Sequence, residues 1–137
     1  KPSLALEYSN FLREYEQLGH MELIPCKETP IPPQAVYIPH QAVVRDVKGV
    51  MKIRVVFNAS CISSNGSSLN DHLLIGPKLQ ADLPAIILQW RQWKYVFAAD
   101  IIKMYRQILV DRQDTDFQRI LWCDEDNNVH HYRLLTV

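Results

Sequence analysis

The chain has 137 residues, long enough for one domain with a sizeable core, and its 47% hydrophobic and 22% charged residues are ordinary for a globular protein. Fifteen basic and fifteen acidic residues cancel, which excludes a global electrostatic footprint for a nucleic acid and makes any such binding local. The three cysteines, Cys26, Cys61 and Cys123, lie far apart with no C-x-x-C pair, which argues against a disulfide framework or zinc ribbon and suits a reducing compartment.

From the N-terminus, Leu4, Tyr8, Phe11, Leu12, Tyr15 and Leu18 recur at helical spacing and Gly19 follows as a stop signal, which predicts an amphipathic helix. The proline-rich stretch 25–33 is a connector, because proline fixes φ and lacks an amide donor. Residues 35–45 and 50–57 are rich in β-branched and aromatic side chains, and Asp46-Val47-Lys48-Gly49 supplies a turn between them, which predicts a β-hairpin. Pro39 puts its first strand at an edge. The polar stretch 58–68 reads as a loop, and a helix is expected over 83–93, with Asp82 as its cap and Pro84 in its first turn. There follow a strand ending at Asp100, a compact turn over 103–105 and a strand near 107–110. A second hairpin, 117–123 and 129–135, is expected around Asp124-Glu125-Asp126-Asn127-Asn128.

Several chemical constellations fail on inspection. Asp111, Asp114 and Asp116, beside Arg112 and Gln113, read as an exposed charged helical turn rather than a metal cluster. His20, His40 and His72 are dispersed, and neighbouring His130 and His131 on a strand point to opposite faces, so no zinc site is expected. Asn58-Ala59-Ser60 and Asn65-Gly66-Ser67 match the glycosylation tripeptide but read as loop residues. No apolar run reaches the length of a membrane span and no basic segment followed by an apolar one opens the chain, so a soluble intracellular protein is expected.

The segment Tyr95-Val96-Phe97-Ala98-Ala99-Asp100 delivers one carboxylate at the end of an otherwise apolar stretch. At a buried strand end that group must be hydrogen-bonded, neutralised or paired with a cation, and metal ligation is the favoured reading. Ala99-Asp100-Ile101-x-x-x-Tyr105-Arg106-Gln107-Ile108 resembles the first catalytic motif of retroelement reverse transcriptases. Upstream, Lys52-Ile53-Arg54-Val55-Val56-Phe57-Asn58-Ala59-Ser60 and Ser68-Leu69-Asn70-Asp71-x-Leu73-Leu74-x-Gly76-Pro77 look like the fingers segment of the BEL/Pao group of LTR retrotransposons. Asp116-Phe117-Gln118-Arg119-Ile120-Leu121-Trp122 and Tyr132-Arg133-Leu134-x-Thr136-Val137 continue the pattern, and Tyr15-x-x-Leu18-Gly19-His20 joins it at the front. The resemblance spans almost the whole chain, and several motifs in order are more specific than one.

The resemblance implies an α+β fold, a partial right-hand polymerase. Residues 1–75 would be fingers, 76–107 the start of the palm with the first catalytic Asp, and 108–137 a return into the fingers. It implies RNA- or DNA-templated DNA synthesis by nucleotidyl transfer with two Mg²⁺ ions, in which the protein mainly supplies carboxylates at fixed positions. Asp100 would be the catalytic metal ligand, joined by the backbone carbonyl of Ile101, while the amides of Lys103 and Met104 would hold the triphosphate. Tyr105 would pack under the sugar and reject a 2′-hydroxyl; a core aromatic is the plain alternative. Arg54, and less securely aligned Lys52, would meet the nucleotide's phosphates, a task suited to a planar guanidinium. A solvated strand face is the plain alternative for Arg45, Lys48, Lys52 and Arg54; Arg91, Lys94 and Arg106 are candidate template contacts, for which solvent-facing stems are the plain alternative. The implied partners are a template with primer, deoxynucleoside triphosphates and the remaining polyprotein of palm, thumb, ribonuclease H and integrase, in a cytoplasmic retroelement particle or in the nucleus, with no membrane.

Two departures qualify the resemblance. The family's second catalytic stretch, an aromatic-x-Asp-Asp hairpin, has no counterpart here, since no Asp-Asp pair occurs. The chain is therefore expected to be a fragment, inactive as a polymerase by itself, with apolar surface left open around Phe97, Ile101 and Ile108. Asn58 stands where relatives often carry Asp. The competing class is a truncated or domesticated retroelement fragment acting as a non-enzymatic RNA-binding or assembly module, since architecture alone does not imply catalysis. An unrelated metal-dependent nuclease would need further carboxylates near Asp100.

Overall fold

The computed structural model describes residues 2–25, 31–47, 49–124 and 126–137. It is a mixed α+β structure with two small antiparallel sheets. Helix α1 (Pro2–Gln17) opens it. The helix stops as its sequence requires, with Leu18 N–H bonding to Glu14 C=O, His20 N–H to Tyr15 C=O, and Gly19 taking φ 73°. That left-handed conformation is open to glycine because it lacks a Cβ.

Strands β1 (Met21–Leu23), β4 (Arg119–Cys123) and β5 (Val129–Leu134) form one sheet in the order β1-β5-β4. Strands β2 (His40–Val47) and β3 (Val50–Phe57) form the other, with Val47 opposite Val50 and His40 opposite Phe57. Both expected hairpins are present. The core gathers Leu12 and Tyr15 of α1, Met21, Ile120, Tyr132 and Leu134, with Tyr8, Phe11, Phe57 and Trp122 packed around them. Helix α1 thus covers the three-stranded sheet and meets Phe57 at the base of the hairpin. Each fully buried aliphatic side chain, such as Leu12 or Ile120, stabilises the fold by about 1.5–3 kcal/mol.

Pro39 divides what the sequence reads as one strand. Before it, Tyr37 bridges Arg119 in parallel, with Arg119 N–H donating to Val36 C=O and Ile38 N–H to Arg119 C=O. After it, β2 pairs with β3. Proline has no N–H to carry a continuous ladder, so the chain changes partner there. Helix α2 (Leu83–Trp90) has Asp82 as N-cap and Pro84 in its first turn, ending three residues short of expectation with Arg91 as its C-cap.

The strand expected to end at Asp100 is absent. Residues 95–100 carry no strand and are exposed, and Asp100 is a surface residue rather than a buried strand end. A strand needs a neighbour to take its N–H and C=O groups, and none of the described residues pairs with this stretch. The strand near 107–110 shrinks to one bridge, Leu109 with Thr136, flanked by Val110 N–H to Leu135 C=O and Val137 N–H to Ile108 C=O. Phe97, Ile101 and Ile108 are exposed, as expected. Cys26, Lys48, Glu125 and most of the connector after Pro25 lie outside the described residues.

Candidate functional site

The basic face of the β2–β3 hairpin follows from its register. Lys52 and Arg54 are two residues apart on β3, and Arg45 of β2 lies directly opposite Lys52. Side chains alternate along a strand and cross-strand partners share a face, so Arg45, Lys52 and Arg54 project together. All three are exposed. Their opposite face carries Val55 and Phe57 toward the core. Like charges directly opposite on a sheet are unfavourable, and the hairpin carries that pair in the open.

The Asp100 segment returns to the body of the protein through a single 3-10 turn, Met104–Gln107. Lys103 precedes it at φ 52° and ψ 44°, in the left-handed region, and Arg106 N–H closes the turn on Lys103 C=O at 2.9 Å. Tyr105 is 64% exposed, so it is not a core aromatic. The side chains beside it are engaged: Lys103 Nζ lies 2.8 Å from Glu14 Oε1, and the Arg106 guanidinium sits over the rings of Phe11 and Tyr15. Arg106 is therefore not a solvent-facing stem. The hydrogen bond from Lys103 and its charge hold the Glu14 carboxyl below its usual range, while burial first, then the cations Arg106 and Lys103, lower His20. Lys94 lies over the Tyr95 ring, and Arg91 is exposed.

Among the described residues no group of three or more His, Cys, Asp or Glu side chains is gathered as metal ligands. Asp100 is one oxygen donor, and the Ile101 carbonyl would be a second. This donor set falls short of a two-magnesium centre, which takes several carboxylate and phosphate oxygens. Arg54 and Lys52 are on the hairpin, and Asp100 through Tyr105 are on the segment tied to α1 by Lys103 and Arg106.

The sequence did not mark the charged centre of the three-stranded sheet. Asp116 lies in a helical turn, the 3-10 turn Thr115–Phe117, but is half-buried rather than exposed: its Oδ1 accepts from Arg119 Nε at 2.9 Å and Nη2 at 2.6 Å, and from Arg133 Nε at 2.7 Å. Arg119 and Arg133 face each other across β4 and β5, so the carboxylate neutralises an otherwise repulsive pair. Burial pushes the Asp116 carboxyl up, but the hydrogen bonds from Arg133 and Arg119 outweigh it and hold it below the usual range. The readable signal was an Asp three residues before an Arg in an apolar strand.

The loop 58–72 is folded by its own side chains. Asn58 Oδ1 accepts from Ser60 N–H, Asn65 Oδ1 accepts from Ser67 N–H, and Asp71 Oδ2 takes both the N–H and the hydroxyl of Ser68. Both Ser68 bonds hold the Asp71 carboxyl low. Asn58 thus performs an Asx turn that either an amide or a carboxylate oxygen can make. Between this loop and residues 33–39 lies a groove of about 330 Å³, lined among others by Tyr37, Ile38, Asn58, Cys61 and His72, and by none of Asp100, Lys52 or Arg54. Cys61 and Cys123 are free and exposed, and no helix among the described residues is long and apolar enough to cross a membrane. Compared with known proteins, the chain matches no family model, no curated protein and no solved structure.

Proposed function

We propose that the chain is the nucleotide-facing part of a BEL/Pao-type reverse transcriptase, contributing to templated DNA synthesis together with carboxylates from polypeptide outside it. The observation that carries this reading is the ordered series of stretches around Arg54, Ser68-Leu69-Asn70-Asp71, Asp100 to Ile108, and Arg119-Ile120-Leu121-Trp122. Two features of the geometry support it. The cations Arg45, Lys52 and Arg54 share one open hairpin face, where a bound polyphosphate would relieve their mutual repulsion. The left-handed Lys103 followed by a 3-10 turn is a backbone form whose successive amides can build an anion-binding concavity.

In this reading Arg54 holds phosphate oxygens, the amides of Lys103 and Met104 receive the triphosphate, Tyr105 presents its ring to the sugar, and Asp100 offers a carboxylate oxygen at the reacting end. The coding sequence after Val137 is then expected to continue into an aromatic-x-Asp-Asp hairpin. In the polypeptide that carries it, Asp100→Asn should abolish primer extension. Arg54→Ala should raise the nucleotide KM roughly tenfold or more, the size of a lost charge-assisted contact. Extension that survives Asp100→Asn would overturn the reading.

The same basic face favours a second reading, RNA binding without catalysis. There, binding of single-stranded RNA by the 137-residue chain should weaken steeply with salt. It should weaken further in Lys52→Ala and Arg54→Ala and be indifferent to Asp100→Asn.

A further inference from the structure

From residue 72 to residue 105 nearly every side chain is exposed, yet the turn after Asp100 is not adrift. Lys103 Nζ is 2.8 Å from Glu14 Oε1, and three residues on the Arg106 guanidinium stands 5.1 Å from the centre of the Phe11 ring and 4.7 Å from that of Tyr15. Phe11, Glu14 and Tyr15 are spaced i, i+3 and i+4 on α1, so they form one contiguous surface. Tyr15 is itself fixed: it is 3% exposed, belongs to the core, and its hydroxyl lies 3.3 Å from Thr136 Oγ1. Arg106 therefore rests on a ring that the core immobilises.

The backbone between the two contacts is strained. Lys103 and Asn127 are the non-glycine residues with positive φ among those described, and lysine lacks the short polar side chain that eases Asn into this region. Such a conformation persists where its surroundings over-determine it. Here the surroundings are the ion pair on the lysine itself and the stacked arginine three residues later.

We infer that Glu14 and the Phe11–Tyr15 ring pair form a two-point clamp by which helix α1 sets the conformation and place of the Asp100 turn. Glu14, Phe11 and Tyr15 are thus positioning residues for whatever the turn receives. That they position a polymerase's nucleotide site rests on the function proposed above; the clamp itself rests on the contacts alone.

Hydrogen exchange of the 137-residue chain tests it, read at the amides of Arg106 and Ile108, which close the turn on Lys103 C=O and Tyr105 C=O. Glu14→Gln should speed both amides about two- to fivefold, the range an exposed ion pair can supply. Arg106→Ala should do so by a similar factor of about two to five through the lost ring contacts. The β4 and β5 amides should keep their wild-type rates in both variants, and the exchanged pair Glu14→Lys with Lys103→Glu should restore protection. Unchanged rates at Arg106 and Ile108, equal acceleration in β4 and β5, or no rescue by the exchanged pair would each overturn the clamp. A longer polypeptide inactive in primer extension would overturn the polymerase reading and leave the clamp standing.

Discussion

Arg119 is 1% exposed, and its permanent charge is met in the sheet by Asp116, which also meets Arg133, and by a hydrogen bond with Tyr37. Removing that carboxylate takes the charge-assisted bonds from a buried guanidinium that keeps its hydrogen bond with Tyr37, and breaking one side of a buried ion pair is more damaging than the pair itself is stabilising. Asp116→Ala is therefore expected to lower unfolding free energy by about 3 kcal/mol, measurable by urea denaturation. The second informative carboxyl is Asp124, which hydrogen bonds from His130 Nε2, the Asn128 side chain and nearby amides hold down to about 2. Both carboxyls lie below their ordinary 3.8 when folded, so the unfolded chain takes up protons first as pH falls. The stability they contribute is complete above that value and is lost as pH drops through the lowered ones. A carbon-detected NMR titration should place the Asp124 midpoint near 2 in the wild type and return it toward the ordinary carboxyl range in His130→Ala. The motifs that hold Asp116, Arg119 and Arg133 did not join them, because charge type is visible in a sequence but the register that sets Arg119 opposite Arg133 is not.

Elements whose signals are local were legible. Helix α1 carries its apolar spacing and its glycine stop, α2 its Asp82 and Pro84, and both hairpins their turn residues. Gly19→Ala tests the first of these stops. A Cβ there meets nothing within 4 Å, so the cost is the left-handed backbone alone, about 1–2 kcal/mol, expected as a lower urea midpoint with unchanged m-value. Elements that depend on a partner were not legible. The apolar run before Asp100 has strand composition, but strand composition describes a fit to a pleated, half-buried surface, and none of the described residues pairs with it. Conversely, Tyr37 joins β4 in parallel although the sequence offers only a Pro39 to hint that the hairpin strand begins late.

Across the whole molecule, the core is built by α1, the three-stranded sheet and the base of the hairpin, while residues 73–105 add almost nothing to it. Ile75, Leu74 and Phe97 are 103%, 97% and 91% exposed, and Leu79 is nearly as bare. Apolar surface on this scale promotes association. Sedimentation velocity is expected to show mass increasing with concentration, and Ile75→Asn with Phe97→Asn should shift the distribution toward monomer without altering β4–β5 protection. The amphipathic helix, the two hairpins, the absence of a charge imbalance and the ordered motifs were determined by the sequence itself, because spacing, turn chemistry and composition act over a few residues. Only the tertiary structure decided that Asp116 sits between two arginines, that Lys103 and Arg106 are tied to α1, and that Asp100 stands in solvent. Each depends on which distant segment arrives alongside, and hydrogen-bond partners and burial exist only once it has.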